Sequence, residues 1–107
     1  MKCIYSIQCR DKEITEFYIG SSKDFDRRFT EHINYSNNVN RNNTKLYKFI
    51  NNNGGIDNWE FVVEQKCDEL NIYELLELEQ IYLDLLNPSL NTLKKSNEIP
   101  KWKWVKK

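Results

Sequence analysis

Ile72-Tyr73-Glu74-Leu75-Leu76-Glu77-Leu78-Glu79-Gln80-Ile81-Tyr82-Leu83-Asp84-Leu85-Leu86 is the stretch from which the fold is read. Apolar residues at Ile72, Leu75, Leu76, Tyr82, Leu83 and Leu86 follow the three- and four-residue steps of one buried stripe, which predicts an amphipathic helix. Glu79 falls in the middle of that stripe, whereas Glu77, Gln80 and Asp84 fall on the wettable side. An unpartnered ionised carboxylate in such a place costs several kcal/mol, or its pKa moves by ~3–5 units until it is neutral. Glu79 is therefore paired, or holds a metal, or takes part in chemistry.

Working outward from that helix, the preceding segments read as strands and shorter helices. Trp59, Phe61 and Val63 alternate with Glu60, Val62 and Glu64, which predicts a strand directly before it. At the other end of the chain, Lys2 to Cys9 predicts a strand with Cys3, Tyr5, Ile7 and Cys9 on one face. Ile14 to Gly20 predicts a second, the two joined as a hairpin by a charged turn. Gly20 should stop the second strand, and Ser21 or Ser22 should cap a helix over Lys23 to Tyr35. Asp24 and Asp26 lie at its positive end, and Phe25 and Phe29 form its apolar stripe beside Arg28 and His32. Thr44 to Asn52 predicts a short helix built on Leu46, Phe49 and Ile50 and closed by Gly54-Gly55. The fold class is α+β: a three-stranded antiparallel sheet flanked by helices, in the order β-β-α-α-β-α.

The 107 residues suffice for one domain with a core, expected over 1–93, followed by a basic tail over 94–107 that contains tryptophan. No apolar run reaches the ~18 residues of a membrane span, and no signal-peptide pattern follows Met1. Three cysteines without a CxxC pairing and a single histidine argue against a structural zinc site. They predict reduced thiols in a cytoplasmic or nuclear compartment. Fourteen asparagines read as the bias of an AT-rich genome, as in a virus, a phage or an AT-rich microbe.

A net charge of zero conceals a split. Residues 1–56 carry nine basic and six acidic groups, 57–93 one basic and nine acidic, and 94–107 six lysines and one glutamate. The first half and the tail suit a polyanion, while the acidic segment suits solvent or a cation. Lys23, Arg27 and Lys45 are candidate nucleic-acid contacts. In the tail, Lys101, Trp102, Lys103 and Trp104 alternate phosphate-binding with base-stacking groups, or else cap the domain with their tryptophans.

Cys3-Ile4-Tyr5 and Tyr18-Ile19-Gly20 resemble the signature of the GIY-YIG nuclease superfamily. In register with them, Ser21 through His32 resembles the family's arginine-and-histidine helix. Glu79-Gln80-Ile81-Tyr82 resembles its glutamate helix, and Asn87-Pro88-Ser89-Leu90-Asn91 its closing asparagine segment. The resemblance covers roughly residues 1–92, and its one departure is Cys3 where the motif has glycine. It implies a DNA endonuclease that uses Mg2+ (or Mn2+) and leaves a 5′-phosphate and a 3′-hydroxyl. Tyr5 would help deprotonate the attacking water, Tyr18 would bond near the scissile phosphate, and Arg28 would balance its charge. His32 would move a proton or touch the phosphate, Glu79 would be the sole protein ligand of the metal, and Asn91 would support the site. Arg28 fits better than Arg27 because it stands one turn before His32.

The chemistry agrees with that implication. Attack on an anionic diester needs neutralised charge and an activated water, which a magnesium on one carboxylate and an arginine fork supply. A tyrosine of ordinary pKa near ~10 is a poor base, so the metal and Arg28 are expected to lower it. One site cuts one strand of a duplex or branched DNA. A double-strand break then needs a homodimer, two nicks or a partner protein. Homing, repair or recombination, and restriction-like roles fit equally. The alternatives are a catalytically silent nucleic-acid-binding module, and a structural or interaction domain whose Glu79 lies in a buried ion pair.

Overall fold

A computed structural model describes residues 1–92. The strands are β1 (Cys3–Cys9), β2 (Phe17–Ser22) and β3 (Trp59–Lys66), and the helices α1 (Phe25–Ser36), α2 (Lys45–Asn52) and α3 (Ile72–Leu86). A single 3-10 turn, Ile56–Asn58, leads into β3. The sheet is antiparallel with strand order β2-β1-β3, so β1 is central. This is the α+β architecture and element order expected from the sequence.

The central strand β1 contributes to a core on each face, with four residues on one and Ile4 alone on the other, where Ser6 and Gln8 bond Glu64 instead. Cys3, Tyr5, Ile7 and Cys9 join Leu46, Tyr47, Ile50, Trp59 and Leu90 in one core, beneath α1 and α2. Ile4 points the other way and joins Ile19, Cys67 and Leu75 beneath α3. β3 carries one extra residue, Glu64, opposite the Ile4–Tyr5 step. Such a bulge bends a strand and re-aims the side chains beside it, here next to Tyr5. All three cysteines are buried and unpaired.

Three local expectations are corrected. β2 begins at Phe17 rather than Ile14, because Asp11 accepts from the Glu13 and Ile14 amides at 3.0 Å each and holds that segment in a turn. β2 also runs through Gly20: Ser21 and Ser22 still pair with Ile4 and Cys3. The cap of α1 is accordingly Asp24, whose carboxylate accepts from the Arg27 amide at 3.2 Å.

The buried stripe of α3 also differs from the one expected. Leu75, Leu78, Tyr82 and Leu83 pack on the sheet, whereas Ile72, Leu76 and Leu86 are exposed. Ten of the helix's fifteen residues are Leu, Ile or Tyr, so several stripes satisfy the same periodicity and only the sheet chooses among them. Glu79 still falls within the stripe, between Leu75 and Leu83 around the helix, and is half-buried. A capping box between Asn71 and Glu74 starts the helix, and Asn87 in the left-handed conformation ends it.

Asparagine has structural work beyond compositional bias. Asn51 donates to the Ser36 carbonyl at 2.9 Å, tying α2 to the end of α1, and Asn53 and Asn58 organise the Gly54-Gly55 turn before β3.

Candidate active site

Tyr5 on β1 and Tyr18 on β2 project from the same face, with ring centroids 6.3 Å apart. Across the strand pair Tyr5 is opposite Gly20. A Cβ on Gly20 would stand 2.5 Å from Tyr5 Oη, so the bare backbone there is what lets the tyrosine lie over β2.

α1 supplies the next two groups. Arg28 is 34% exposed at its side chain and Arg27 66%, so Arg28 is the arginine turned toward the domain. Its Nη1 donates to Glu31 Oε1 at 2.9 Å. Burial works against the Arg28 charge, but the Glu31 bond and the tyrosine oxygens outweigh burial and raise its pKa further. His32 is 1% exposed, one turn on. Its ring lies 5.7 Å from that of Tyr5, 5.8 Å from that of Tyr18 and 5.5 Å from that of Phe61.

His32 makes two bonds at once. Nε2 lies 2.7 Å from Tyr5 Oη and Nδ1 lies 2.7 Å from Tyr47 Oη, a residue of α2. Burial, reinforced by the Arg28 charge, pushes the His32 pKa down to about 3, so the ring is neutral at physiological pH.

Glu79 comes from α3 on the opposite face. Its Oε1 accepts from Ser21 Oγ at 2.7 Å. Burial raises its pKa, opposed by the Ser21 bond and the Arg28 charge. The charges of Glu79 and Arg28 both act on the Tyr5 and Tyr18 hydroxyls, so the four groups lie within electrostatic reach of one another. Among the described residues Glu79 has no ion-pair partner within 4.0 Å; the arginines of α1 pair with Glu31 instead. Among the described residues, then, a hydroxyl and not a cation holds the Glu79 carboxylate.

Arg28 lowers the Tyr5 pKa as expected, but not by enough on its own to offset burial. Burial dominates, followed by the Tyr18 oxygen, and Tyr5 ends well above its ordinary value despite Arg28. Tyr18 shifts the same way. Both are phenols in this structure, not phenolates.

Asn91 stands apart from these groups. It accepts from the Ile19 amide at 2.9 Å and donates to the Ile19 carbonyl at 2.8 Å, completing the outer edge of β2 midway between Tyr18 and Gly20. Lys23, Arg27 and Lys45 are exposed. Lys101, Trp102, Lys103 and Trp104 lie outside the described residues. No group of three or more His, Cys, Asp or Glu able to hold a metal occurs among the described residues, and none of their helices is long and apolar enough to cross a membrane. A cleft of about 570 Å³ lined by Phe25, Phe29, Trp59 and Phe61 includes none of the candidate catalytic groups.

Sequence reasoning missed three contributors. Gly20 was visible only as a strand stop, although its place in the second triplet was the signal for its spatial role. Ser21 carries a hydroxyl beside that glycine, a weak signal. Tyr47 had none, being an ordinary aromatic of a short helix.

The model of the GIY-YIG catalytic domain matches residues 1–94. No curated protein sequence matches the chain. Among solved structures, the catalytic domain of homing endonuclease I-TevI is similar with a TM-score of 0.61 at 21% identity, over 81% of this chain and 89% of that one. A glutamate-to-alanine mutant of the catalytic domain of intron endonuclease I-TevI is similar with a TM-score of 0.68 at 23% identity, over 88% of this chain and 93% of that one. At such identities the likeness establishes the fold, and the domain match establishes the kinship: the chain belongs to the GIY-YIG catalytic-domain family.

Proposed function

We propose that this chain is a divalent-metal-dependent endonuclease that hydrolyses DNA phosphodiester bonds, each active site cutting one strand. The observation that carries the reading is the state of Glu79. It is a half-buried carboxylate anchored through one oxygen by Ser21, without an ion pair among the described residues, within electrostatic reach of Arg28 and two tyrosine hydroxyls. A buried acid so placed is a candidate for function rather than stability.

The donor set fits magnesium or manganese better than a caged metal. One carboxylate, with water and phosphate oxygens completing the shell, is the usual magnesium arrangement. Glu79 would hold the ion, which when bound would offset phosphate charge and acidify water. Arg28, fixed by Glu31, would place a charged donor fork against the phosphate oxygens. Tyr18 would donate a hydrogen bond to the phosphate.

Tyr5 would act as a neutral hydroxyl, receiving the proton of the attacking water while its own moves to His32 Nε2. The arriving phosphate would counter the Arg28 charge that helps hold the His32 pKa down, so the imidazole would gain basicity when substrate binds. Asn91 would support the site through β2. Lys23, Arg27 and Lys45 would contact the DNA backbone with salt-sensitive affinity, as would the tail residues Lys101, Trp102, Lys103 and Trp104. A double-strand break would require a second copy, a partner protein or a second nick. Three buried, unpaired thiols support a reducing intracellular setting.

The test is supercoiled-plasmid relaxation by the wild type and by Glu79→Gln matched for folding, each with magnesium, manganese or EDTA. Nicked circles preceding linear product, only with wild type and metal, are expected. Cleavage unchanged by EDTA or by Glu79→Gln overturns the reading.

A further inference from the structure

Tyr47 belongs to none of the segments that carry the family resemblance, yet its hydroxyl meets the buried histidine of the site. It is 5% exposed on α2, fifteen residues from His32 in sequence, and lies 2.7 Å from His32 Nδ1. α2 holds it firmly: Leu46 and Ile50 are in the core, Asn51 is tied to the Ser36 carbonyl, and the Tyr35 and Tyr47 rings meet edge to face at 6.3 Å.

We infer that Tyr47 is a positioning residue: by accepting a hydrogen bond from His32 Nδ1, it fixes the tautomer in which Nε2 accepts from Tyr5. The argument begins with the neutral ring, which has one N–H and one lone pair. With a tyrosine oxygen 2.7 Å from each nitrogen, the ring donates to one tyrosine and accepts from the other. The bond made by one nitrogen sets the state of the other.

Arg28 decides the direction. It lowers the Tyr5 pKa both through its charge and as a nearby donor, and the Tyr47 pKa through its charge alone. The cation therefore stands nearer the Tyr5 end of the ring and favours the tautomer whose lone pair faces that end. In this tautomer Tyr5 donates inward to Nε2 and turns its oxygen lone pairs toward Arg28 and an approaching water. In the other tautomer Nε2–H occupies a Tyr5 lone pair and the Tyr5 proton points outward, against a water that must give up its own. Burial raises the Tyr47 pKa to about 12, so its hydroxyl stays protonated across the working pH range. The catalytic significance rests on the nuclease reading above, while the tautomer itself does not.

His32 is the only histidine in the chain, so its ring nitrogens can be read by long-range 1H–15N NMR without ambiguity. The wild type should show Nδ1–H with Nε2 unprotonated, and Tyr47→Phe should lose that pattern. With cleavable DNA, Tyr47→Phe should lower kcat by about tenfold to a hundredfold while KM and DNA binding hold. An Nε2–H tautomer in the wild type overturns the inference whether or not the variant folds. So does a folded Tyr47→Phe that keeps the Nδ1–H pattern and stays within twofold of wild-type kcat. If the wild type cuts no DNA but shows the Nδ1–H tautomer, lost in Tyr47→Phe, the nuclease reading fails and the hold of Tyr47 on His32 stands.

Discussion

Tyr5 lies so close against Gly20 that a Cβ there would stand 2.5 Å from Oη and 2.6 Å from Cζ. The obstacle is a buried ring, not the loose end of a flexible side chain, so it cannot move aside freely. Gly20→Ala should cost roughly 1–3 kcal/mol in urea unfolding, as overpacking does. Cleavage should fall by about a hundredfold or more through displacement of Tyr5 Oη. A variant with unchanged stability and activity would show that the ring has room elsewhere.

Glu79→Gln separates chemistry from stability. The amide keeps an oxygen for Ser21 but removes the charge, so cleavage should drop by about a hundredfold or more. Burial raises the folded pKa of Glu79 above its unfolded value, so its ionisation costs stability as pH rises through the folded pKa. The stability of the variant relative to wild type should therefore rise with pH from the ordinary carboxylate range up through the folded pKa, seen by thermal unfolding at each pH. A stability difference that does not change with pH, or that falls as pH rises, would contradict this.

Ser21→Ala removes the 2.7 Å bond that orients the Glu79 carboxylate. Partners that orient a metal ligand typically contribute about 10–100-fold in metal affinity. Manganese binding followed by electron paramagnetic resonance should weaken by that order, with the fold retained. Unchanged affinity would mean that α3 alone orients Glu79.

His32 gives the opposite pH dependence to Glu79. Its folded pKa of about 3 lies below the ordinary 6.5, so the stability conferred by the neutral ring is complete above 6.5 and is lost as pH falls toward 3. The wild type should lose stability relative to His32→Gln across that window. The kcat/KM profile of the free enzyme should show no His32 inflection near 6.5. An inflection there that disappears in His32→Gln would place the ring in a far wetter environment.

Asn91→Ala strips two bonds from the Ile19 backbone at the outer edge of β2. Leaving those groups unpaired should cost about 1–3 kcal/mol, with a smaller loss of activity than Glu79→Gln because no group at the reacting centre is removed. Chemical unfolding and plasmid nicking, measured together, check the order of the two effects.

The sequence by itself determined the kinds of element, their order and which arginine of α1 turns toward the domain, since these follow from periodicity, turn residues and helical spacing within a few positions. It also singled out Glu79, because a carboxylate among leucines is conspicuous whichever stripe is buried. Only the tertiary structure decided that Leu78 rather than Leu76 faces the sheet, since a helix so rich in leucine offers several equivalent stripes. Ser21 and Glu79 stand 58 positions apart, and His32 and Tyr47 stand 15 apart. Such pairs meet only after the sheet and the α1–α2 packing have formed, so no local pattern announces them. The protonation of Tyr5 is likewise a tertiary result. The sequence supplied Arg28 to lower its pKa, but depth of burial is a property of the whole fold, and burial outweighs the neighbouring charge.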